Sequence, residues 1–301
     1  MYMAENAIRT LLNKEKKHIA FIIGNGVHRY NPKRKSLSWD DLLLKLWLNT
    51  TGHRLTKRPE GISTTEFYDL LELRNTEKIQ IQKEVSELMR DWTAAEHHRR
   101  IIDVIQRFNA PILTTNYDHV LAEISKSSLH RLEGDHFTDF YPWSSYHSPN
   151  PLTSPTSGFG IWYINGLRQY HRSIRLGLTH YMGSVERART MLFKNKSTGL
   201  YSTEQPEQWQ GHQTWLDIIF NRSLFIFGLG LEENETFLRW LLIERKKYYN
   251  RFPERKRKGW YLTPKSDQPG FEGKKFFLQS VGIEVIEVQD FDDVYLHPWS
   301  S

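Results

Sequence analysis

Short apolar runs, each closed by a polar or glycine-bearing turn, alternate along the chain with longer stretches of helical periodicity. Phe21-Ile22-Ile23 ends in Gly24-Asn25-Gly26, Pro111-Ile112-Leu113-Thr114 in Thr115-Asn116-Tyr117-Asp118, and Leu224-Phe225-Ile226-Phe227 in Gly228-Leu229-Gly230. Each pattern predicts a buried strand that delivers small or amide-bearing residues to the carboxyl edge of a parallel sheet, where open α/β folds bind nucleotides. Residues 2–17 predict a helix feeding a strand at 18–23. Ser38, with Asp41 three positions on, predicts the N-cap of the next helix. The first nucleotide-binding strand-loop-helix unit therefore spans 18–49.

Residues 64–108 are helical in pattern, with breaks near Asn75 and Thr93, and read as a helical insertion that caps the domain. A strand at 111–114 and a helix at 118–125 follow. Segment 130–160 carries prolines, serines and the Tyr141-Pro142-Trp143 cluster, and predicts an irregular loop that folds over the site. Further strands are expected at 161–164, 173–178, 223–227, 260–262 and 283–286, with helices at 180–194, 208–221 and 233–249. The sum is one α/β domain over 1–301, with a Rossmann-like, doubly wound, mainly parallel sheet whose remaining core occupies 111–288.

Composition narrows the chemistry. With 39% hydrophobic residues over 301 positions, the chain can bury a sizeable core. It has no cysteine, which excludes disulfides and thiolate metal sites, so no zinc module is expected. Its 13 histidines form no His-Glu-x-x-His, and His97-His98 are adjacent, so no metal site is expected. No apolar run approaches the roughly 18 residues of a membrane span and no basic leader precedes an apolar stretch, so a cytoplasmic protein without membrane contact is expected. The absence of a Gly-x-x-x-x-Gly-Lys-Ser/Thr sequence argues against an intrinsic ATPase.

The formal charge of +6 is unevenly spread, with Arg245, Lys246, Lys247, Arg251, Arg255, Lys256, Arg257 and Lys258 in one stretch. The simpler reading of 245–258 is a solvated helix end with a basic loop. The sharper one is a contact for nucleic acid or an acidic partner chain.

Gly24-Asn25-Gly26 alone is a fragment of a glycine-rich nucleotide turn, since a third glycine is missing and no helix is expected directly behind it. An ordinary turn needing positive φ is the competing reading. Its companions strengthen the case. Gly228 and Gly230 let a backbone approach a phosphate or ribose, while Asn116 and Asp118 can hydrogen-bond ribose hydroxyls or a carboxamide.

The order Gly-Asn-Gly, Thr-Thr-Asn-Tyr-Asp, an apolar strand ending in Ile164-Asn165-Gly166, then Phe-Gly-Leu-Gly-Leu-Glu-Glu-Asn resembles the bacterial sirtuin-like domains of antiphage defence proteins. The resemblance covers most of the chain, and its most specific part is the Thr-Thr-Asn-Tyr-Asp element. It implies an NAD-binding domain without zinc whose activity is cleavage of NAD between nicotinamide and ribose. By carry-over, Gly24 and Gly26 approach the cofactor phosphates, Asn116 positions the nicotinamide ribose or a water, Asp118 supports that loop or the nicotinamide, and Gly228 and Leu229 flank the adenosine. Asn25, Thr115, Gly166 and Gly230 complete the expected cofactor-binding set. The resemblance also implies a homo-oligomer, or a hetero-assembly beside an ATPase or sensor subunit.

The departure is Asn165, where the family has a histidine that acts as general base. An amide accepts no proton near neutral pH, and loss of a general base costs about 10²–10⁴ in rate. Three readings stay open: an engineered inactive variant, a natural enzyme with a displaced base such as His171 or His180, or an NAD- or ADP-ribose-binding subunit without turnover. Asn116, Asn165 and His171 are the candidate catalytic residues.

Overall fold

The computed structural model describes residues 2–30, 36–76, 78–133, 142–193, 198–202, 206–233 and 235–300. Its strands in chain order are β1 (Ile19–Ile23), β2 (Ile112–Thr114), β3 (Ser128–Arg131), β4 (Ser145–Ser148), β5 (Ile161–Tyr163), β6 (Ser223–Phe227), β7 (Gly259–Pro264) and β8 (Glu284–Val288). They form one sheet in the order β3-β4-β5-β2-β1-β6-β7-β8. Every pairing from β5 through β8 is parallel, and β3 and β4 run antiparallel at one edge. This is an α/β, Rossmann-like architecture. The chain order reverses at β1, which has β2 on one side and β6 on the other, so the crevice of an open α/β sheet falls at its carboxyl end.

β1 and β6 are apolar at nearly every position because helices cover both faces of the sheet. Ala20, Ile22, Leu224 and Ile226 face a layer built by helices Leu178–Phe193, Leu216–Asn221 and Thr236–Arg251. Phe21, Ile23, Phe225 and Phe227 face the opposite layer, from helices Tyr2–Glu15 and Glu96–Arg107 and the segment around Trp299. Each of the Ile, Leu and Phe side chains among these, fully buried, contributes about 1.5–3 kcal/mol of transfer free energy.

A third cluster joins helices Trp39–Thr51, Thr64–Leu73 and Ile81–Leu88 through Leu42, Leu46, Phe67, Leu71 and Val85, and seats them on Tyr117 and Val120. Two capping boxes start this layer. Ser38 Oγ accepts from the Asp41 amide at 3.0 Å, and Ser63 Oγ accepts from the Glu66 amide at 3.2 Å while the Glu66 carboxylate accepts from the Ser63 amide. These local bonds satisfy amides that the first helical turn leaves free.

Several expectations are corrected. The expected insertion 64–108 is not one unit, because Glu96–Arg107 packs on the sheet and only the helices before it belong to the cap. Segment 130–160 contains the end of β3 and all of β4, whose ladder places it at the sheet edge; its residues 134–141, including Tyr141, lie outside the described residues. No strand forms at 173–178, where a 3-10 turn at His171–Ser173 leads into an extended segment. A one-turn helix, Gly26–Arg29, does begin behind the first glycine turn. Helix Phe271–Ser280, between β7 and β8, had no counterpart in the expected pattern.

The basic stretch ends at the amino edge of β7, opposite the crevice, and part of it is internal. Arg245 is 1% exposed and donates to the carbonyls of Ile219, Arg222, Arg257 and Lys258. Arg255 donates to Tyr248 Oη, and Lys258 pairs with Glu15 at 2.7 Å. Among the described residues, no helix is long and apolar enough to cross a membrane, and no group of three His, Asp or Glu is placed to hold a metal.

Candidate functional site

A cleft of about 480 Å³ opens at the carboxyl edge of the sheet, between the turns after β1, β2, β5, β6 and β7 and the cap helices. Asn25, Gly26, Thr115, Asn165, Gly228, Leu229 and Gly230 line it, so seven of the residues singled out from the sequence meet in one place. They come from four separate strand ends.

The glycine turns are built against each other. The Gly26 amide donates to the Gly228 carbonyl at 2.7 Å, and a Cβ added at Gly24 would lie 2.4 Å from that same oxygen. Gly228 itself has φ +67°, a conformation that favours glycine. Gly24 therefore serves contact between the two turns and does not line the cleft, whereas Gly26, Gly228 and Gly230 do. Asn25 Nδ2 donates to the Leu37 carbonyl at 2.9 Å and ties the turn to the start of the cap, leaving Asn25 Oδ1 buried without a partner.

In Thr-Thr-Asn-Tyr-Asp, the side chains divide their work. Thr114 Oγ1 donates to the Ile23 carbonyl at 2.9 Å and accepts from the Asn116 amide, so it locks the turn to β1. Thr115 faces the cleft, and its hydroxyl is buried without a hydrogen-bond partner. Asn116 sits behind the wall, 2% exposed, with Nδ2 donating to the Gly24 carbonyl at 3.3 Å and Oδ1 unpartnered. Tyr117 lines the cleft and its hydroxyl donates to the Arg175 carbonyl.

Asp118 turns away from the cleft. Its Oδ1 accepts from the Val120 amide at 2.9 Å, and Oδ2 lies 3.0 Å from His28 Nε2. His28 Nδ1 in turn lies 3.0 Å from His98 Nε2, and the Ala95 amide donates to His98 Nδ1. An acceptor at Nδ1 places the His98 proton on Nε2, directed at His28. Burial works against the Asp118 charge, and the adjacent His28 ring and Val120 amide outweigh it and hold the carboxyl below its usual range.

Asn165 follows β5 and lines the cleft, with Nδ2 donating to Tyr181 Oη at 3.4 Å and its carbonyl accepting from the Arg175 amide at 2.8 Å. Gly166 lies behind it at φ +107°, where a Cβ would come within 2.1 Å of the Ser173 carbonyl, so its role is to let the chain fold back. His171 lies in a separate depression with Tyr68 and Glu72. His180 is partly buried against Tyr68, where its Nδ1 accepts from the Leu176 and Gly177 amides. Burial and the nearby Arg175 push its pKa down to about 4.

The remaining wall was not anticipated from the sequence. Tyr181, Glu232, Glu235, Lys274 and Tyr295 all face the cleft. Arg58 pairs with Asp40 at 2.7 Å and Lys274 with Glu232 at 2.6 Å, which neutralises two charges on either side of the opening. Glu235 has no cationic partner among the described residues, and desolvation together with Glu232 pushes its pKa up to about 7. The acidic run Glu232-Glu233-Asn234-Glu235, which follows the Gly228-Leu229-Gly230-Leu231 turn after β6, was the sequence signal for this feature, with Asn234 outside the described residues. Phe291, 57% exposed, stands at the rim and stacks on Tyr295 at 6.1 Å and 11°.

Neither the protein-family models nor the curated proteins searched contain a match to this chain.

Proposed function

We propose that the chain binds NAD in this cleft and cleaves it to nicotinamide and ADP-ribose, as a sirtuin-like NAD hydrolase. The observation that carries the reading is the convergence, at the switch point of a Rossmann-like sheet, of Asn25, Thr115, Asn165 and the Gly228 turn, with Asn25 Oδ1 and Thr115 Oγ1 buried and unpartnered. A buried polar oxygen without a partner costs roughly 1–3 kcal/mol, and a ligand that donates to it removes that cost. Ribose hydroxyls and a carboxamide are donors of this kind.

The cleft volume falls in the ~300–1,000 Å³ range of small-molecule sites. The Phe291–Tyr295 stack offers an aromatic face to adenine at the β6–β8 side, and Asn165 with Tyr181 offers polar contacts to the nicotinamide ribose at the β2–β5 side. Cleavage of the ribose–nicotinamide bond passes through an oxocarbenium-like state, in which positioning and electrostatics supply much of the acceleration. On this reading the protein acts in the cytoplasm as an antiphage effector that depletes NAD, as a homo-oligomer or beside an ATPase or sensor subunit.

Asn165 favours a second reading, a non-catalytic NAD- or ADP-ribose-binding subunit, because an amide supplies no general base. Chromatographic measurement of nicotinamide release from NAD, paired with calorimetric binding of ADP-ribose, decides between them. Release supports the hydrolase, and binding without release supports the subunit. Neither binding nor release removes NAD from this cleft.

A further inference from the structure

We propose that Glu235 is the proton acceptor of the cleft, placed to take a proton from water attacking a ribose carbon; the assignment rests on the NAD-cleaving reading above.

Among the described residues, no histidine lines the cleft. Asp40 is 53% exposed and held by Arg58, and Glu232 is 63% exposed and held by Lys274. Burial raises the phenols of Tyr117, Tyr181, Tyr261 and Tyr295 far above neutrality, so none ionises to accept a proton. Arg29, Arg58 and Lys274 are donors only. Glu235 remains, partly buried and without an ion pair among the described residues.

Its position fits the role. Glu235 is the N-cap residue of helix Thr236–Arg251, yet its side chain caps no amide. It shares the cleft with Asn165 and Tyr181, and both Tyr117 and Tyr181 feel its charge. The buried, unpartnered Thr115 hydroxyl on the same wall independently marks this region as one that receives a polar ligand. Among the described residues, the groups coupled to the carboxylate are Glu232 from its own loop, Tyr117 after β2, and Tyr181 from helix Leu178–Phe193. Desolvation, followed by the Glu232 charge, pushes its pKa up to about 7, the range in which a base is both ionised and effective at physiological pH.

The step balances without a further reactant. The bond between ribose C1′ and the nicotinamide nitrogen breaks, and its electron pair leaves with neutral nicotinamide. Water oxygen bonds to C1′, and its proton passes to the Glu235 carboxylate and then to solvent. Asn165 orients the ribose, and Glu235 supplies the basicity that an amide lacks.

The test compares wild type with Glu235→Gln and Glu235→Asp for single-turnover nicotinamide release between pH 5 and 9, ADP-ribose affinity and melting temperature. Glu235→Gln is expected to bind ADP-ribose as the wild type does and to release nicotinamide about 10²–10⁴-fold more slowly. The wild-type rate should fall as pH drops below about 7, a limb missing from Glu235→Gln. Glu235→Asp keeps the charge but withdraws it by one methylene, and should retain part of the rate with its acid limb. Equal rates in wild type and both variants overturn the assignment and leave the hydrolase reading standing. ADP-ribose binding with no wild-type cleavage at any pH overturns the assignment and the hydrolase but keeps a binding site, whereas no binding and no cleavage overturns both readings. If Glu235→Gln melts early, Glu235→Asp decides alone, and a wild-type rate and pH profile in it overturns the proposal.

Discussion

The Asp118 carboxylate and the His28 imidazole lie 3.0 Å apart, both buried, and together they pin the turn after β2 to the turn after β1. The pair faces away from the cleft, so the acidic residue of Thr-Thr-Asn-Tyr-Asp braces the two cleft-forming turns without lining the cleft.

Asp118→Asn removes the charge that His28 and the Val120 amide stabilise, and should lower unfolding free energy at neutral pH by about 1–3 kcal/mol in urea titrations. Because the folded Asp118 pKa is depressed, its contribution is complete above the unfolded value of roughly 3.9 and disappears as pH falls through the folded pKa. The stability of Asp118→Asn should therefore decline less steeply than that of wild type below pH 4. Parallel acid profiles would count against the pair.

Gly24 and Gly230 should separate packing from ligand approach. A Cβ at Gly24 meets the Gly228 carbonyl at 2.4 Å, while a Cβ at Gly230 meets nothing closer than the flexible Glu232 side chain at 3.4 Å. Gly24→Ala is expected to cost about 1–3 kcal/mol by overpacking. Gly230→Ala should melt within a degree or two of wild type yet weaken ADP-ribose binding, since Gly230 lines the cleft. Equal melting temperatures for the two variants contradict the close approach of the turns.

Asn116→Ala removes the 3.3 Å bond to the Gly24 carbonyl and with it a brace on the first glycine turn. A loss of about 1 kcal/mol is expected by chemical denaturation, accompanied by weaker ADP-ribose binding. A stability identical to wild type would show that the amide does not hold the turn.

Asn165→His tests where basicity enters the cleft. An imidazole there, with an unperturbed pKa near 6.5, can accept a proton that the amide cannot. With Glu235 intact, nicotinamide release should rise by less than about tenfold, because an acceptor is already present. In a Glu235→Gln background the same substitution should restore release by on the order of 10²-fold. A gain on the order of 10²-fold with Glu235 intact would return the acceptor role to position 165.

The apolar runs of β1, β2, β5, β6 and β7 were legible because strands buried on both faces show no alternation, and the turns that close them carry Gly, Asn or Thr. The Ser38–Asp41 cap was legible for a similar reason, since its hydrogen bonds span three residues. These features are written in neighbours, and they fixed the fold class and seven of the cleft-lining positions. The antiparallel edge was hidden, because Ser128-Leu129-His130-Arg131 and Ser145-Tyr146-His147-Ser148 read as polar loop until a ladder with a distant segment supplies their bonds.

Only tertiary structure decided which residues face the cleft and which stand behind it. Asn116 and Asp118 turn inward because Gly24 and His28, some 90 residues earlier, offer them partners at bonding distance. Arg245 reads as surface charge in a basic run, yet helix Thr236–Arg251 carries it onto four backbone carbonyls. Glu235 acquires its elevated pKa from desolvation in the assembled cleft, together with the Glu232 charge. Sequence periodicity records how much of a segment is buried, but the direction of a side chain at a strand end, and the charge it carries there, depends on contacts that form only when the strands assemble.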